Sequence, residues 1–416
     1  MDAIHIRGGN ALFGETKIQG SKNAVLPVMA AALLIEDISI IENCPRISDV
    51  CHMQKLLTQI GCKVSRAGRT LMIDARCVSE DKMAGESVTG MRSSLMLLGA
   101  MLGRLGEISM AYPGGCVIGK RPIDLHLDAL KKMGVSIREE EGNFTARAEN
   151  LRGTVIKLPF VSVGATENVI LAAVKAKGVT VIQNAAREPE IATLCSFLKK
   201  AGAVIEGVGG SVLVIQGGAP LHGIQFEVPA DRIVAGTYLF SVLGTGGHIF
   251  LQKAPIAHMR GMLKIAVEMG AEITASKEGL SVIAEPQRKA VPYLKTDVYP
   301  GFPTDMQSPL MAVLTTASGV SMLEETIFED RFRMVEELLK MGADIRVEET
   351  KAVITGVEKL KGCEVFAREL RGGAGLVIAG CMAEGETIVR NKHFIERGYE
   401  DICRDYQNLG VNIVTG

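Results

Sequence analysis

The chain has 416 residues, of which 47% are hydrophobic but only 4% aromatic, with no Trp and a formal net charge of −1. That length provides for two or three domains with large cores. The charge balance and the scarcity of aromatic rings exclude a cationic, base-stacking surface of the kind that holds nucleic acid, and the longest apolar run, residues 24–35, is too short to cross a bilayer.

Taken in chain order, one pattern returns six times. Each copy opens with a strongly apolar helical segment: NAVLPVMAAALL, RSSLMLLGAML, ATENVILAAVKA, RIVAGTYLFSVL, MQSPLMAVLTTA and GGAGLVIAGCMA. Segments apolar nearly all round are expected in the interior. A glycine and a short strand usually follow, as in Gly106-EISM and Gly178-VTVI. Next comes an amphipathic helix with Leu and Met at i, i+3 and i+4, for example CHMQKLLTQIG and DLHLDALKKMG. Each closes on a glycine suited to the left-handed position after a helix. These glycines are Gly61, Gly134, Gly202, Gly270, Gly342 and Gly410, at spacings of 73, 68, 68, 72 and 68 residues. Alternating segments such as SVLVIQG and KAVITG read as the closing strands.

The sixth copy stops at GVNIVTG without its last strand. Residues 6–14 (IRGGNALFG) align with residues 215–223 (IQGGAPLHG), which end the third copy, so the N-terminal strands are expected to complete the last unit's sheet. The reading is an α/β protein of two three-unit domains, residues 22–229 in one and residues 1–21 with 230–416 in the other. Nine cysteines without CxxC spacing, and an N-terminus lacking a signal-peptide core, predict reduced thiols and a cytoplasmic protein. No His/Cys grouping has zinc spacing, so no metal is expected.

Several of the apolar helices begin at cations: Lys22 (followed by Asn23), Arg92, Arg232 and Arg371. A cation there opposes the helix dipole unless an anion is shared between it and the first-turn amides. Lys120, Arg121 and Arg397 extend the set, which predicts a ligand carrying phosphates and a carboxylate. Asp305, after the proline-stiffened PGFPT, reads either as a helix cap or as a general base facing a hydroxyl. His126, alone on its helix, reads as a proton relay or as a packed side chain.

Residues 113–127, PGGCVIGKRPIDLHL, surround Cys116 with Gly114, Gly115 and Gly119 and with Lys120, Arg121 and His126. Cations favour thiolate, so the loop reads as an anion-binding lid carrying an acid or nucleophile; the alternative is a small apolar filler. The stretch Gly114-x4-Gly119-Lys120 approaches a P-loop but fails where Arg121 and Pro122 replace the magnesium-binding hydroxyl residue.

The segments IQGSKNA, GGCVIGKRPIDLHL, SVGATEN, NAAREPEI, FPTDMQ, ETIFEDRF and HFIERGYE closely resemble the UDP-N-acetylglucosamine 1-carboxyvinyltransferases, and the resemblance runs through the whole chain. The related shikimate-pathway enolpyruvyl transferases lack the cysteine loop. The resemblance implies a two-domain inside-out α/β barrel of six repeated units. It implies transfer of enolpyruvyl from phosphoenolpyruvate to the 3′-hydroxyl of UDP-N-acetylglucosamine, with phosphate released, in the first committed step of peptidoglycan synthesis. Those two small molecules are the implied partners, with no cofactor. Cys116, Asp305, Lys22 and Arg397 are the implied catalytic residues, Cys116 being the acid or transient covalent partner that fosfomycin captures. Lys22, Arg92, Arg121 and Arg397 match the cradle for phosphate and carboxylate, beside Asn23. Contacts to the uridine and diphosphate match Arg121, Pro122, Ile123, Asp124 and Leu125, and Ser162, Val163 and Gly164. Ile327, Arg331 and Arg371 complete the implied substrate-binding set. Two positions depart from the family pattern: Phe160 stands where many members have Lys, and Glu369 where Asp usually precedes Leu-Arg. These departures leave open a non-catalytic paralogue that only binds the UDP-sugar.

Overall fold

Each apolar segment forms a helix in the computed structural model, which describes residues 2–78, 82–83, 92–112, 123–140 and 142–416, the side chains of residues 82, 83, 92, 93 and 140 excepted. The six helices are Lys22–Ala32, Met96–Arg104, Val163–Ala173, Arg232–Thr245, Gln307–Leu314 and Leu370–Met382. Their sequences lack a polar face, and burial follows: every residue from Arg232 to Gly244 is buried. The first three pack on one another, as do the last three. Backbones approach closely in these packings. The Gly99 amide donates to Asn168 Oδ1 at 2.7 Å, and a Cβ at Gly99 would lie 2.3 Å from the Asn168 carbonyl oxygen.

Six four-stranded sheets cover these helices. Each has the same plan: a strand from the end of one copy lies parallel to the first strand of the next, which in turn pairs antiparallel with one of two closing antiparallel strands. The glycines that end the amphipathic helices all have positive φ, from 87° to 112°. Only a residue without Cβ adopts that conformation freely, which explains the regular spacing.

The N-terminal strands go to two different sheets. Ala3–Arg7 lies between Glu386–Arg390 and Asn412–Thr415, antiparallel to both, and completes the last copy's sheet. Leu12–Lys17 instead runs parallel to Gly247–Gln252 of the fourth copy. Gln225–Glu227, at the end of the third copy, does the same with Ile38–Glu42 of the first. The expectation that both strands complete the last sheet is therefore corrected for the second, because the connecting strand always serves the next sheet.

The described residues divide into two compact units, one running to Gln19 and resuming at Ala230–Gly416, the other lying between Gly20 and Pro229. Each has its own apolar core. No helix among the described residues is long and apolar enough to cross a membrane.

Candidate active site

In the unit containing Ala230–Gly416, polar chemistry converges on Asp305. It sits in the one-turn helix Thr304–Met306, directly before the buried Gln307–Leu314 helix. Arg331 Nη2 donates to its Oδ1 at 2.7 Å and Arg371 Nη2 to its Oδ2 at 2.9 Å. Both arginine side chains are almost completely buried, whereas Asp305 keeps 24% of its side chain exposed. Burial disfavours the Arg371 cation, yet Asp305, Tyr399 and Asp231 around it hold its pKa above the ordinary value. Glu369 has a double role: its carboxylate accepts from the Arg371 and Gly372 amides, capping Leu370–Met382, and lies 3.5 Å from Arg331 Nη1. The N-cap position of Gln307–Leu314 is Met306, so Asp305 stands one residue before it. Asp305 is an ion-paired, partly exposed carboxylate.

The other predicted groups of this unit are positioned by the same elements. Arg331 follows a loop fixed by Glu325, which accepts from Thr296, Thr304 and the Ile327 and Phe328 amides. Ile327 itself is 37% exposed. Arg397 ends the short helix Lys392–Arg397, which packs on the helix bearing Arg371. Gln19 pins the segment after it, donating to the Gly398 carbonyl at 2.9 Å and accepting from the Glu400 amide at 2.8 Å. Sequence reasoning assigned no role to Gln19 or Glu325 and noted Glu369 only as a departure from the family pattern. Gln19 and Glu325 lie within the motifs IQGSKNA and ETIFEDRF, which were the only signal for them.

In the unit between Gly20 and Pro229, Lys22 opens its helix and pairs with Asp49 at 2.9 Å, both largely buried. A protein carboxylate thus already faces a cation that the sequence assigned to a ligand anion. Asn23 is half-buried beside it. Ser162 caps Val163–Ala173, its Oγ accepting from the Ala165 amide. Gly164 lies so close to His126 that a Cβ there would meet the imidazole Cε1 at 2.9 Å. Asn168 Oδ1 accepts from a backbone amide, so its Nδ2 donates to His126 Nδ1 at 2.8 Å, which puts the ring proton on Nε2 when the ring is neutral. His126 is thus a packed and oriented ring, 8% exposed. Through it the Asp124–Lys132 helix, with exposed Asp124 and half-buried Leu125, is brought against Ser162, Val163 and Gly164; Ile123 is buried just before it. Phe160 is 58% exposed and offers no charge to a diphosphate.

Cys116, Lys120, Arg121 and Pro122 lie outside the described residues, as does the side chain of Arg92, whose backbone begins the short helix Arg92–Leu95. The segments flanking the cysteine loop are the strand Glu107–Ala111 and the helix Asp124–Lys132. The eight described cysteines are all free. Burial pushes the thiols of Cys62 and Cys195 up to about 12 and that of Cys403 up to about 11, which keeps them protonated and inert. Among the described residues no group of His, Cys, Asp and Glu has the arrangement of a metal site.

Six repeats, helices inside and sheets outside, with an ion-paired carboxylate at the start of a buried helix, define the class to which the chain belongs. The family model described as EPSP synthase (3-phosphoshikimate 1-carboxyvinyltransferase) matches residues 6–405, and the chain belongs to that family. Within it, the chain is 45% identical to the UDP-N-acetylglucosamine 1-carboxyvinyltransferase 2 of Caldanaerobacter subterraneus subsp. tengcongensis, over 100% of this chain and 99% of that protein. It is likewise 45% identical to the UDP-N-acetylglucosamine 1-carboxyvinyltransferase of Zymomonas mobilis subsp. mobilis, over 99% of each. Among solved structures, the enolpyruvyl transferase NikO from Streptomyces tendae has the same fold, with a TM-score of 0.90, 23% identity, and coverage of 99% of this chain and 98% of that one.

Proposed function

We propose that this chain transfers enolpyruvyl from phosphoenolpyruvate to the 3′-hydroxyl of UDP-N-acetylglucosamine and releases phosphate, opening peptidoglycan synthesis. The observation that carries the reading is Asp305, a partly exposed carboxylate held by two buried arginines, in a chain whose relatives bear that activity in their names. The sugar oxygen bonds to the central carbon of phosphoenolpyruvate, while the methylene carbon gains a proton. Loss of phosphate and of one methyl proton then restores the double bond. Asp305 takes the hydroxyl proton, since each of its oxygens accepts one guanidinium bond and retains a second lone pair. Cys116 supplies the proton to carbon, and Lys22, Arg92, Arg121 and Arg397 hold the phosphate and carboxylate. Asn23, residues 121–125 and residues 162–164 take the UDP-sugar, and Ile327, Arg331 and Arg371 complete the substrate-binding set.

The two compact units support residues 22–229 and residues 1–21 with 230–416 as the domains of this enzyme. Free thiols at all eight described cysteines agree with a reducing cytoplasm. The test is phosphate release from phosphoenolpyruvate, measured with and without UDP-N-acetylglucosamine and without added metal. Release only in the presence of both substrates is expected, and its absence from a folded protein would overturn the proposal. Cys116→Ser should remain folded and bind the sugar yet lose turnover or covalent capture of fosfomycin. Undiminished irreversible inactivation of that variant would remove Cys116 from its role.

A further inference from the structure

Resting on that reading, we propose that Glu325 and Thr304 form a positioning pair for the reaction: the buried Glu325 carboxylate aims the Thr304 hydroxyl, which in turn holds the edge of the Arg331 guanidinium that grips Asp305. Glu325 directly follows the strand Val320–Glu324 and is 2% exposed, so its oxygens must be met by protein donors. Its Oε1 accepts from Thr296 Oγ1 at 2.9 Å and from the Ile327 and Phe328 amides at 2.8 and 3.1 Å. Its Oε2 accepts from Thr304 Oγ1 at 2.8 Å. Thr304 Oγ1 also lies 3.3 Å from Arg331 Nε. A guanidinium nitrogen only donates, so the hydroxyl oxygen is the acceptor there and its single proton serves Glu325.

An arginine has several rotatable bonds and holds a carboxylate in one place only if its own plane is fixed. Each of the three guanidinium nitrogens of Arg331 has a partner. Nε donates to Thr304, Nη2 donates to Asp305 Oδ1 at 2.7 Å, and Nη1 lies 3.5 Å from Glu369 Oε2. The face of the group lies over the Phe328 ring, 5.2 Å from its centre. Glu325 thus reaches the guanidinium from two sides, at its edge through the Thr304 hydroxyl and at its face through the residue whose amide it holds, Phe328. Thr304 and Asp305 are neighbours in one turn, so the bond that aims the hydroxyl also anchors the base beside it. Thr296 serves the other oxygen of the same carboxylate, which makes it a matched control.

The experiment compares Thr304→Val, Thr304→Ser, Glu325→Gln and Thr296→Val with the unaltered protein, first in the two-substrate phosphate-release assay. Thr304→Val keeps the shape and removes the hydroxyl, and should lower kcat about tenfold. KM for phosphoenolpyruvate should stay within about twofold, because its phosphate and carboxylate are assigned to other cations. Thr304→Ser returns the hydroxyl and should bring kcat back to within about twofold of the unaltered protein. Thr296→Val should melt earlier yet lose less than about twofold in kcat. A second readout does not depend on turnover. In protein labelled with ¹⁵N-arginine, the Nε–H signal that disappears in Arg331→Lys should exchange with solvent faster in Thr304→Val and in Glu325→Gln, and at the original rate in Thr304→Ser and Thr296→Val. Glu325→Gln acts because the position of Oε1 has three donors to serve: the amide oxygen takes that place, and its NH2 group faces Thr304 as a donor where the carboxylate accepted. An undiminished kcat in Thr304→Val, no recovery in Thr304→Ser, an equal loss in Thr296→Val, or unchanged Nε–H exchange in either Thr304→Val or Glu325→Gln overturns the proposal. An unaltered protein that releases no phosphate sinks the functional reading, while the exchange measurement still decides the pair.

Discussion

Two guanidinium groups occupy the Asp305 oxygens before any substrate arrives, and that pairing decides how its variants behave. Asp305→Ala removes the carboxylate that both buried arginines contact and leaves Glu369 as the one carboxylate paired with Arg331, so it should cost on the order of 3 kcal/mol of stability in urea unfolding. Asp305→Asn keeps the volume and one acceptor oxygen; it should cost less stability yet abolish turnover to the same extent. Equal stability of the Ala variant and the unaltered protein would contradict the ion-paired geometry. Thiol chemistry separates as cleanly at this scale. Burial holds Cys62, Cys195, Cys381 and Cys403 as thiols, whereas Cys51 and Cys77 are exposed. Brief alkylation at pH 8 (an arbitrary, roughly neutral choice) followed by peptide mapping should therefore mark Cys51 and Cys77 and spare the four buried thiols. Modification of those four in the folded protein would refute their burial. Asp305 was legible in the sequence as a polar residue opening an apolar helix. Its partners were not, because Arg331 and Arg371 lie 26 and 66 residues further along the chain and only folding brings them together.

At the scale of elements, the sequence made the six-fold plan readable through two physical constraints. A helix with no polar face has to be buried, and a helix end that turns left-handed asks for glycine; both recur at near-constant spacing. Close backbone approach was invisible, since a glycine inside an apolar helix looks like any other small residue. Gly99 shows what it does. Its missing side chain lets Met96–Arg104 lie against the Asn168 backbone of Val163–Ala173, and the same approach lets Asn168 orient His126. Gly99→Ala must push two core helices apart, so it should destabilise by about 3 kcal/mol and disturb His126 as well. A thermal melt together with the His126 imidazole signal by NMR checks both. A variant with unchanged stability would mean that the helices do not pack this closely. The caps are a milder case. Asp231 accepts from the Ile233 and Val234 amides at the start of Arg232–Thr245, and Asp231→Ala should cost about 1–2 kcal/mol in the same melt.

For the molecule as a whole, two buried acids set how stability responds to pH. Glu167 is 2% exposed on Val163–Ala173; burial, and then Glu190 and Glu188, raise its pKa well above the usual carboxylate range. Asp405, in the other unit, is raised by burial against the opposing hydrogen bonds from Tyr238 and Thr16. In both cases the folded state keeps a proton that the unfolded chain has already released. The folded state then binds more protons, so stability falls as pH rises from the ordinary carboxylate value through the raised one. Replacing Glu167 by Gln removes the ionisation and with it that part of the slope. Relative to the unaltered protein, Glu167→Gln should therefore gain stability as pH increases. Each unit has its own apolar core, so the gain should appear in the hydrogen exchange of core amides between Gly20 and Pro229 and not in those of Ala230–Gly416. A stability difference that is the same at low and high pH would show that Glu167 is ionised in the folded protein, and a gain spread over both units would show that they open as one.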